Sequence, residues 1–395
     1  MDNTKSRFCK RFTENIYGKQ GERNPHYREL PVETEREIAH FKDQDRVCFN
    51  SYGYLGLNMH EDIQMAAVRA LGKYGTSTGG VRCLSGSREL HRQLEGRLAR
   101  IFGKEDAIVY SSGYLANYSA LSSLMSKGDT IIADQFAHRS LQDGCAYSGA
   151  EVRHFQHNNM YSLKEQLKTA QGNKLIVVDG VYSMHGDIAN IPEISHIARE
   201  SGALLYVDEA HSFGTLGKSG KGVIEHFNLD KRDIDINMGT LSKTIPSTGG
   251  YVCASKDIVE QLVHISPGAI FSAALTPQDA GASLASLEVM EKETWRVMQL
   301  RRNIDTMRNL CNENHLDIGT AGYTPIFPIF IRNNEQAGQI TDKLWDAGYW
   351  VNYVGYPAVP RGSELLRICL TTDHQTLQIE GLAKEITKLK RNVRL

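Results

Sequence analysis

Short apolar runs rich in β-branched residues alternate with longer amphipathic segments over residues 46–290, and this alternation limits the folds open to the chain. The runs are DAIVYSS, DTIIAD, KLIVVDG, ALLYVDEA, DIDINMGT and GGYVCAS, and the segments between them include SLKEQLKTA and IPEISHIARES. Strands that are apolar on both faces and are separated by helices build parallel sheets covered by helices. The sequence therefore predicts an α/β fold with a mostly parallel central sheet.

The pattern divides the chain into three parts. Residues 1–45 are polar and weakly patterned, which predicts an N-terminal arm lying on another part of the protein or on a second subunit. Residues 46–290 form a large domain. Residues 291–395 predict a smaller C-terminal α+β domain, made from a long charged helix, the strands PIFPIFI, YWVNYV and LLRICLTT, and a last amphipathic helix.

Charge and cysteine usage narrow the classes of partner. The formal net charge is -1, so no basic field attracts nucleic acid, and small molecules are the expected partners. Seven scattered cysteines without C-x-x-C spacing argue against a disulfide framework and a zinc site, and predict reduced thiols in the cytoplasm and no metal. The chain shows neither a signal peptide nor an apolar run of about 18 residues, so no transmembrane segment is expected, while peripheral membrane contact stays open.

Residues that follow the strands are the candidates for ligand binding, because ligands of open α/β sheets lie beyond the carboxyl ends of the strands. Ser112, Gly113 and Tyr114 start a helix in YSSGYLANYSAL, which is either an anion site or an ordinary turn. His138 in ADQFAHRSL could cover a flat ring or serve the structure alone. Ser183 follows KLIVVD and offers a hydroxyl group.

VDEAH and the nearby GTLGKS suggest a P-loop NTPase at first sight. A Walker A loop requires the pattern G-x-x-x-x-G-K-[ST], and the first glycine would fall at position 212, which is Ser212. The loop also follows the acidic motif within a few residues instead of following a strand of its own. The sequence therefore argues against an NTPase.

GTLSKT places Thr240 and Lys243 directly after an apolar strand and before the glycine-rich IPSTGG. A single lysine is usually a surface charge, but this context favours a functional one. Pyridoxal 5'-phosphate (PLP) needs a lysine for covalent attachment, a carboxylate against its pyridine nitrogen and donors around its phosphate. Lys243, Asp208 of VDEAH and the helix start at Gly113 supply this set, so PLP is the predicted cofactor.

Several ordered motifs resemble the α-oxoamine synthases, which belong to fold type I of the PLP-dependent transferases. The motifs are SYGYLGL, STGGVRCLSGSRELHRQLE, the His138 segment, VDEAHSFGTLG, GTLSKTIPSTGGY and LLRICLTTDH. The resemblance covers roughly residues 45–380. The family includes 8-amino-7-oxononanoate synthase, 2-amino-3-ketobutyrate CoA ligase, 5-aminolevulinate synthase and serine palmitoyltransferase.

The resemblance implies a role for each candidate. Lys243 would be the covalent anchor, Asp208 would pair with the pyridinium nitrogen, and His138 would stack on the ring and act with them in catalysis. The remaining cofactor contacts would be His211 and Ser183 at the ring 3-oxygen, and Ser112, Gly113, Tyr114 and Thr240 at the phosphate. Ser272 of the neighbouring subunit would complete the phosphate site, which implies a homodimer with shared active sites. Arg367 would bind the substrate carboxylate, beside Tyr52.

The reaction implied is a decarboxylative condensation of serine, alanine or glycine with an acyl-CoA or acyl-carrier thioester, giving an α-amino ketone, CoA and CO2. The run from Ser51 to Gly56 favours serine, although Gly53 replaces the asparagine of sphingolipid members. Two alternatives remain: another fold type I enzyme such as an aminotransferase, and a partner subunit of a heterodimeric synthase. Arg367 and residues 77–95 count against the first, and the presence of Lys243 counts against the second.

Overall fold

The computed structural model describes residues 31–356 and 358–392. Most of the predicted N-terminal arm therefore lies outside the described residues. Its last part forms an antiparallel meander of β1 Glu33–Glu35, β2 Ile38–His40 and β3 Asp45–Cys48. The three-part domain division stays a prediction.

A seven-stranded sheet forms the centre of the molecule. Its strands, in chain order, are β4 Asp106–Tyr110, β5 Thr130–Asp134, β6 Glu151–Phe155, β7 Lys174–Asp179, β8 Ala203–Asp208, β9 Ile236–Ser242 and β10 Pro246–Ala254. Their spatial order is β4-β10-β9-β8-β7-β5-β6, and only β10 runs antiparallel to its neighbours. The mostly parallel α/β fold predicted from the sequence is confirmed. The strand β6 was not predicted, because Glu151 and Arg153 leave its sequence EVRHF without a continuous apolar run.

Helices connect and cover these strands. They are α1 Glu61–Tyr74, α2 Glu89–Phe102, α3 Gly113–Leu124, α4 Arg139–Tyr147, α5 Met160–Lys168, α6 Ile191–Ser201, α7 Val223–His226, α8 Lys256–Ile265, α9 Pro267–Ile270 and α10 Pro277–Lys292. Successive residues of the strands enter different hydrophobic clusters: Ile131 and Ala133 of β5 join one cluster and Ile132 joins the other. Apolar side chains therefore cover both faces of the sheet, as the continuous apolar runs require.

The C-terminal part contains α11 Trp295–Glu313, β11 Ile326–Phe330, α12 Asn334–Asp346, β12 Tyr349–Trp350, β13 Asn352–Val354, β14 Leu365–Cys369 and α13 Thr376–Asn392. Two sequence expectations are refined here. The single charged helix is two helices, since α10 ends before Glu293 and α11 begins after Thr294. The run YWVNYV is two strands in different sheets: β12 pairs with β3, and β13 pairs with β14 in a sheet of order β11-β14-β13.

Two glycines allow α3 to begin close against the sheet. A Cβ atom on Gly250 of β10 would lie 2.6 Å from the Gly113 Cα atom, and a Cβ on Gly113 would lie 2.9 Å from Thr240 Oγ1. Such contacts are too short for any side chain, so both positions require glycine. The start of α3 is thereby held beside the end of β9. Within the described residues, no helix combines the length and apolar composition needed to cross a bilayer.

Candidate active site

Three neighbouring strands, β5, β7 and β8, each end in an aspartate. Asp179 and Asp208 lie opposite each other in the register of β7 and β8, and both are buried. Burial and the negative charge of Asp208 raise the pKa of Asp179 well above its usual range. The sequence analysis named only Asp208. The repeated aspartate at the strand ends was the signal that could also have identified Asp179.

Asp208 accepts two hydrogen bonds that fix its carboxylate. Asn117 Nδ2 of α3 donates to Oδ2 at 2.7 Å, and the Ala210 amide donates to Oδ1 at 2.8 Å. A carboxylate held by two donors is pre-oriented for a partner that approaches from the remaining side. Asp208 therefore lies buried at the end of β8, its role stays a prediction, and its hydrogen-bond donor Asn117 was not anticipated.

His138 occupies the N-cap position of α4. Its Nδ1 lies 2.7 Å from Ser140 Oγ and 3.3 Å from the Ser140 amide nitrogen, while its own amide donates to Asp179 Oδ2 at 3.0 Å. Burial lowers the pKa of His138, so the imidazole is predominantly neutral at neutral pH. A neutral imidazole beyond the carboxyl ends of the strands suits stacking on a flat ring.

Lys243 follows β9 and is half-buried. Burial lowers the pKa of its amine, although Asp208 and Asp179 oppose this effect. Among the described residues, the amine has neither a hydrogen bond nor an ion pair. A partly desolvated amine without a fixed partner loses its proton more readily and is available as a nucleophile.

His211 lies near this lysine, and Ser183 lies beside Arg367. The Tyr54 hydroxyl is 2.6 Å from His211 Nδ1. Burial, followed by the positive charges of Lys243 and Arg367, lowers the pKa of His211 well below its usual range. The Ser183 hydroxyl forms no hydrogen bond with another described residue. Both side chains can therefore serve as neutral donors, and Tyr54 is a further site residue that the sequence analysis left out.

The start of α3 offers free main-chain donors. The Ser112 hydroxyl caps the helix by accepting from the Leu115 amide at 3.1 Å, which leaves the amides of Gly113 and Tyr114 without a helical acceptor. Thr240 Oγ1 donates to the Gly249 carbonyl at 3.0 Å beside this helix start. The Tyr114 side chain is exposed and donates to Asp143 on α4. The Tyr114 amide, and not its ring, is thus available to an anion at this helix start.

Arg367 is a buried cation near the lysine. Its Nε donates to the Ser183 carbonyl at 2.8 Å, and its guanidinium lies 4.8 Å from the centre of the Tyr52 ring. No described carboxylate forms an ion pair with it. A buried guanidinium without an acidic partner is suited to an anionic ligand. Ser272 Oγ lies 3.4 Å from Ser111 Oγ of the same chain, and Ser111 directly precedes the Ser112 helix cap.

Comparison with known proteins assigns the chain to a family. The family description "Aminotransferase class I and II" matches residues 45–386. This chain belongs to that family. It is 38% identical to serine palmitoyltransferase of Sphingobacterium spiritivorum, with 91% of this chain and 90% of the relative covered. It is 35% identical to 8-amino-7-oxononanoate synthase of Saccharophagus degradans, with 89% and 88% covered.

A solved structure supports the same assignment. A serine palmitoyltransferase with PLP as its internal aldimine matches with a TM-score of 0.92 at 30% identity, and each chain is fully covered. Within its family the chain is therefore an α-oxoamine synthase, a PLP-dependent acyltransferase. The resemblance, the fold type and the PLP cofactor predicted from the sequence are confirmed.

The residues of this synthase fit PLP. The start of α3 lies close against Thr240 and forms a narrow cradle of main-chain donors, which suits a phosphate group. Asp208 lies buried at the sheet edge and can face a ring nitrogen, and Lys243 is the nearby amine without a partner. These residues meet three separate requirements of PLP, namely donors for the phosphate, a carboxylate for the ring nitrogen and an amine for covalent attachment. The individual residue roles stay predictions.

Proposed function

We propose that this α-oxoamine synthase condenses L-serine with an aliphatic acyl-CoA and releases CoA and CO2 to form an α-amino ketone. The observation that carries the proposal is the buried Arg367 guanidinium, which has no acidic partner among the described residues. The carboxylate of an amino acid is the complementary ligand, because guanidinium binds carboxylate through two parallel hydrogen bonds.

The neighbouring side chains divide the chemical work. PLP, when bound, withdraws electrons from the Cα atom of the amino acid. Asp208 would face the positively charged ring nitrogen. Lys243, its amine released when the amino group of serine binds in its place, would accept the Cα proton, so that Cα can form a bond to the thioester carbonyl as CoA leaves. His138 donates a hydrogen bond that orients the substrate carboxylate. After CO2 leaves, Lys243 returns a proton to Cα.

Serine is favoured over alanine and glycine for two reasons. The Ser51 to Gly56 motif resembles the sphingolipid members of the family. Serine palmitoyltransferases also provide a relative at 38% identity and a full-length structural match. The palmitoyl group in the name of these relatives also supports an aliphatic acyl donor. An acyl-carrier thioester is the alternative to acyl-CoA.

The substrate test combines binding with turnover. Serine, alanine and glycine are each titrated against the absorbance of bound PLP, and free CoA thiol is then measured with palmitoyl-CoA, shorter acyl-CoA thioesters and an acyl-carrier thioester. Serine with a long-chain thioester should give the highest kcat/KM. Preference for alanine or glycine, or for a short acyl chain, would contradict the choice of serine and a long-chain donor, and transamination without CoA release would contradict the reaction.

Two arginine variants test whether Arg367 binds the carboxylate of the amino acid. Arg367→Lys should raise the KM for serine about 10- to 100-fold, since lysine keeps the charge and loses the two-pronged geometry. Arg361→Lys changes an exposed arginine in the same region and should leave the KM unchanged. An unchanged KM in Arg367→Lys would exclude Arg367 as the carboxylate ligand.

We also propose a homodimer with shared active sites. Leu84 and Phe271 are each 83% exposed, and Phe271 precedes Ser272 directly. Large apolar side chains at such exposure are typical of contact surfaces. A cytoplasmic location completes the proposal, and it is supported by the free thiols of the six cysteines in the described part of the chain.

A further inference from the structure

Two buried side chains connect Asp208 to His138. Asn117 of α3 and Ser140 of α4 are each 1% exposed. Asn117 Nδ2 lies 2.7 Å from Asp208 Oδ2 and 2.9 Å from Ser140 Oγ, and Ser140 Oγ lies 2.7 Å from His138 Nδ1. The Tyr206 hydroxyl completes the set by donating to Asn117 Oδ1 at 2.9 Å.

In this hydrogen-bond network, the donor and the acceptor of each bond can be assigned. Both oxygens of Asp208 accept hydrogen bonds, so the amide nitrogen of Asn117 must face the carboxylate, because the amide oxygen there would bring two acceptors together. The second N–H of Asn117 then donates to Ser140 Oγ. Ser140 has a single hydroxyl hydrogen, and His138 Nδ1 is its acceptor.

A main-chain hydrogen bond independently identifies His138 Nδ1 as an acceptor. The Ser140 amide can only donate, and it also faces His138 Nδ1, at 3.3 Å. With two donors directed at Nδ1, a neutral His138 carries its proton on Nε2. His138 Nε2 forms no hydrogen bond with any residue that the structure describes. It is therefore the ring nitrogen left to donate to a bound substrate.

We propose that Asn117 and Ser140 are positioning residues that fix the Asp208 carboxylate and hold His138 in the Nε2-protonated tautomer. The inference rests on the proposed function, since its purpose is to present one oriented acceptor and one oriented donor to the cofactor and substrate. A network that served stability alone would only require that its buried polar groups find partners. The tautomer of His138 and the Cα chemistry distinguish the two cases.

The tautomer is measured directly in the holoenzyme. Long-range 1H–15N spectra of histidine-labelled protein are recorded at neutral pH, and the His138 signal is assigned by its loss in His138→Asn. The wild-type signal should show the Nε2-protonated form. Ser140→Ala should introduce a second population protonated at Nδ1, and Ser140→Thr, which keeps the hydroxyl group, should restore the wild-type signal. A wild-type His138 protonated on Nδ1 would overturn the proposal.

The effect on Asp208 is measured through exchange of the serine Cα hydrogen with solvent. Asn117→Ala should slow this exchange about 10- to 100-fold, as expected for the loss of a charge-assisted hydrogen bond, with PLP still bound. Ser122→Ala, one turn further along α3 and outside the network, should leave the rate unchanged. Equal rates in Asn117→Ala and Ser122→Ala would sink the positioning role.

These outcomes separate the inference from the proposed function. If the wild-type protein binds PLP at another lysine or exchanges no Cα hydrogen, the proposed function fails. If the wild-type protein exchanges normally and Asn117→Ala does the same, only the inference fails. Urea unfolding of each variant shows whether a slow rate reflects loss of the fold, and in that case Asn117→Ser, which is smaller and keeps a donor, is measured in its place.

Discussion

Lys243 is the single residue on which covalent attachment of PLP is predicted to depend. Its amine is half-buried, lacks a partner among the described residues, and has a pKa lowered by burial. Lys243→Ala should therefore abolish the covalent bond while changing the free energy of unfolding of the apoprotein by less than about 0.5 kcal/mol, because it removes a costly charge and little packing.

Borohydride reduction followed by peptide mass spectrometry measures the attachment. The pyridoxyl group should appear on Lys243 in the wild-type protein and be lost in Lys243→Ala. Lys218→Ala is the matched control, since Lys218 is the exposed lysine of the GTLGKS motif and should have no effect. A pyridoxyl group on any other lysine would contradict the assignment.

At the scale of elements, His157 ties the end of β6 to the end of β5 and to the loop after β7. Its Nδ1 lies 3.0 Å from Asp134 Oδ1, and its Nε2 lies 2.8 Å from Asp187 Oδ2. Burial lowers the pKa of His157, but the hydrogen bonds to Asp134 and Asp187 outweigh it and raise the pKa to about 9. Tyr182 and His185 are further titratable groups nearby, with ring centres 4.4 Å and 5.9 Å from that of His157.

The direction of this shift fixes the pH dependence. A pKa raised by folding contributes stability that is complete below the unfolded value of about 6.5 and is lost as the pH rises through about 9. His157→Gln should therefore lower the free energy of unfolding by about 1–3 kcal/mol near pH 6, and the difference from wild type should shrink toward pH 10. Urea unfolding at several pH values measures it.

A matched control for His157 lies on the strand that precedes it. His154 of β6 is exposed, and His154→Gln should leave the free energy of unfolding nearly unchanged across the same pH range. If the two variants behaved alike, or if the effect of His157→Gln grew with pH, the charged bridge between the strand ends would not exist in solution.

At the scale of the whole molecule, the proposed shared site makes a prediction about mixed dimers. A dimer of one Lys243→Ala chain and one Ser272→Ala chain holds one complete site if Ser272 serves the partner, and no complete site if it serves its own chain. With shared sites, the hybrid should reach roughly half of the wild-type activity at limiting PLP. Differently tagged chains allow the hybrid to be isolated.

If Ser272 instead serves its own subunit, the same experiment gives a different activity for the hybrid. Ser272 Oγ lies 3.4 Å from Ser111 of its own chain, so a role within one subunit predicts a hybrid no more active than half of the Ser272→Ala homodimer. A hybrid of Lys243→Ala with wild type should show about half of the wild-type activity in both cases and controls for assembly.

The sequence alone determined the sheet and the identity of the central side chains. The runs of β7, β8 and β9 are readable because a strand buried on both faces is mostly apolar, and Asp208 and Lys243 are readable because Asp208 ends one such run and Lys243 follows another. The charged strand β6 was not readable for the same reason. The break between α10 and α11 was not predicted either, because charged, helix-forming residues continue across it.

The tertiary structure alone decided which side chains support the site. Asn117 reaches Asp208 across 91 positions of sequence, and Arg367 reaches the Ser183 carbonyl across 184. Local patterns report whether a position is buried, but they do not report which distant donor meets which acceptor. Those pairings arise only when the strands align, since the parallel register brings separate strand ends to one edge of the sheet.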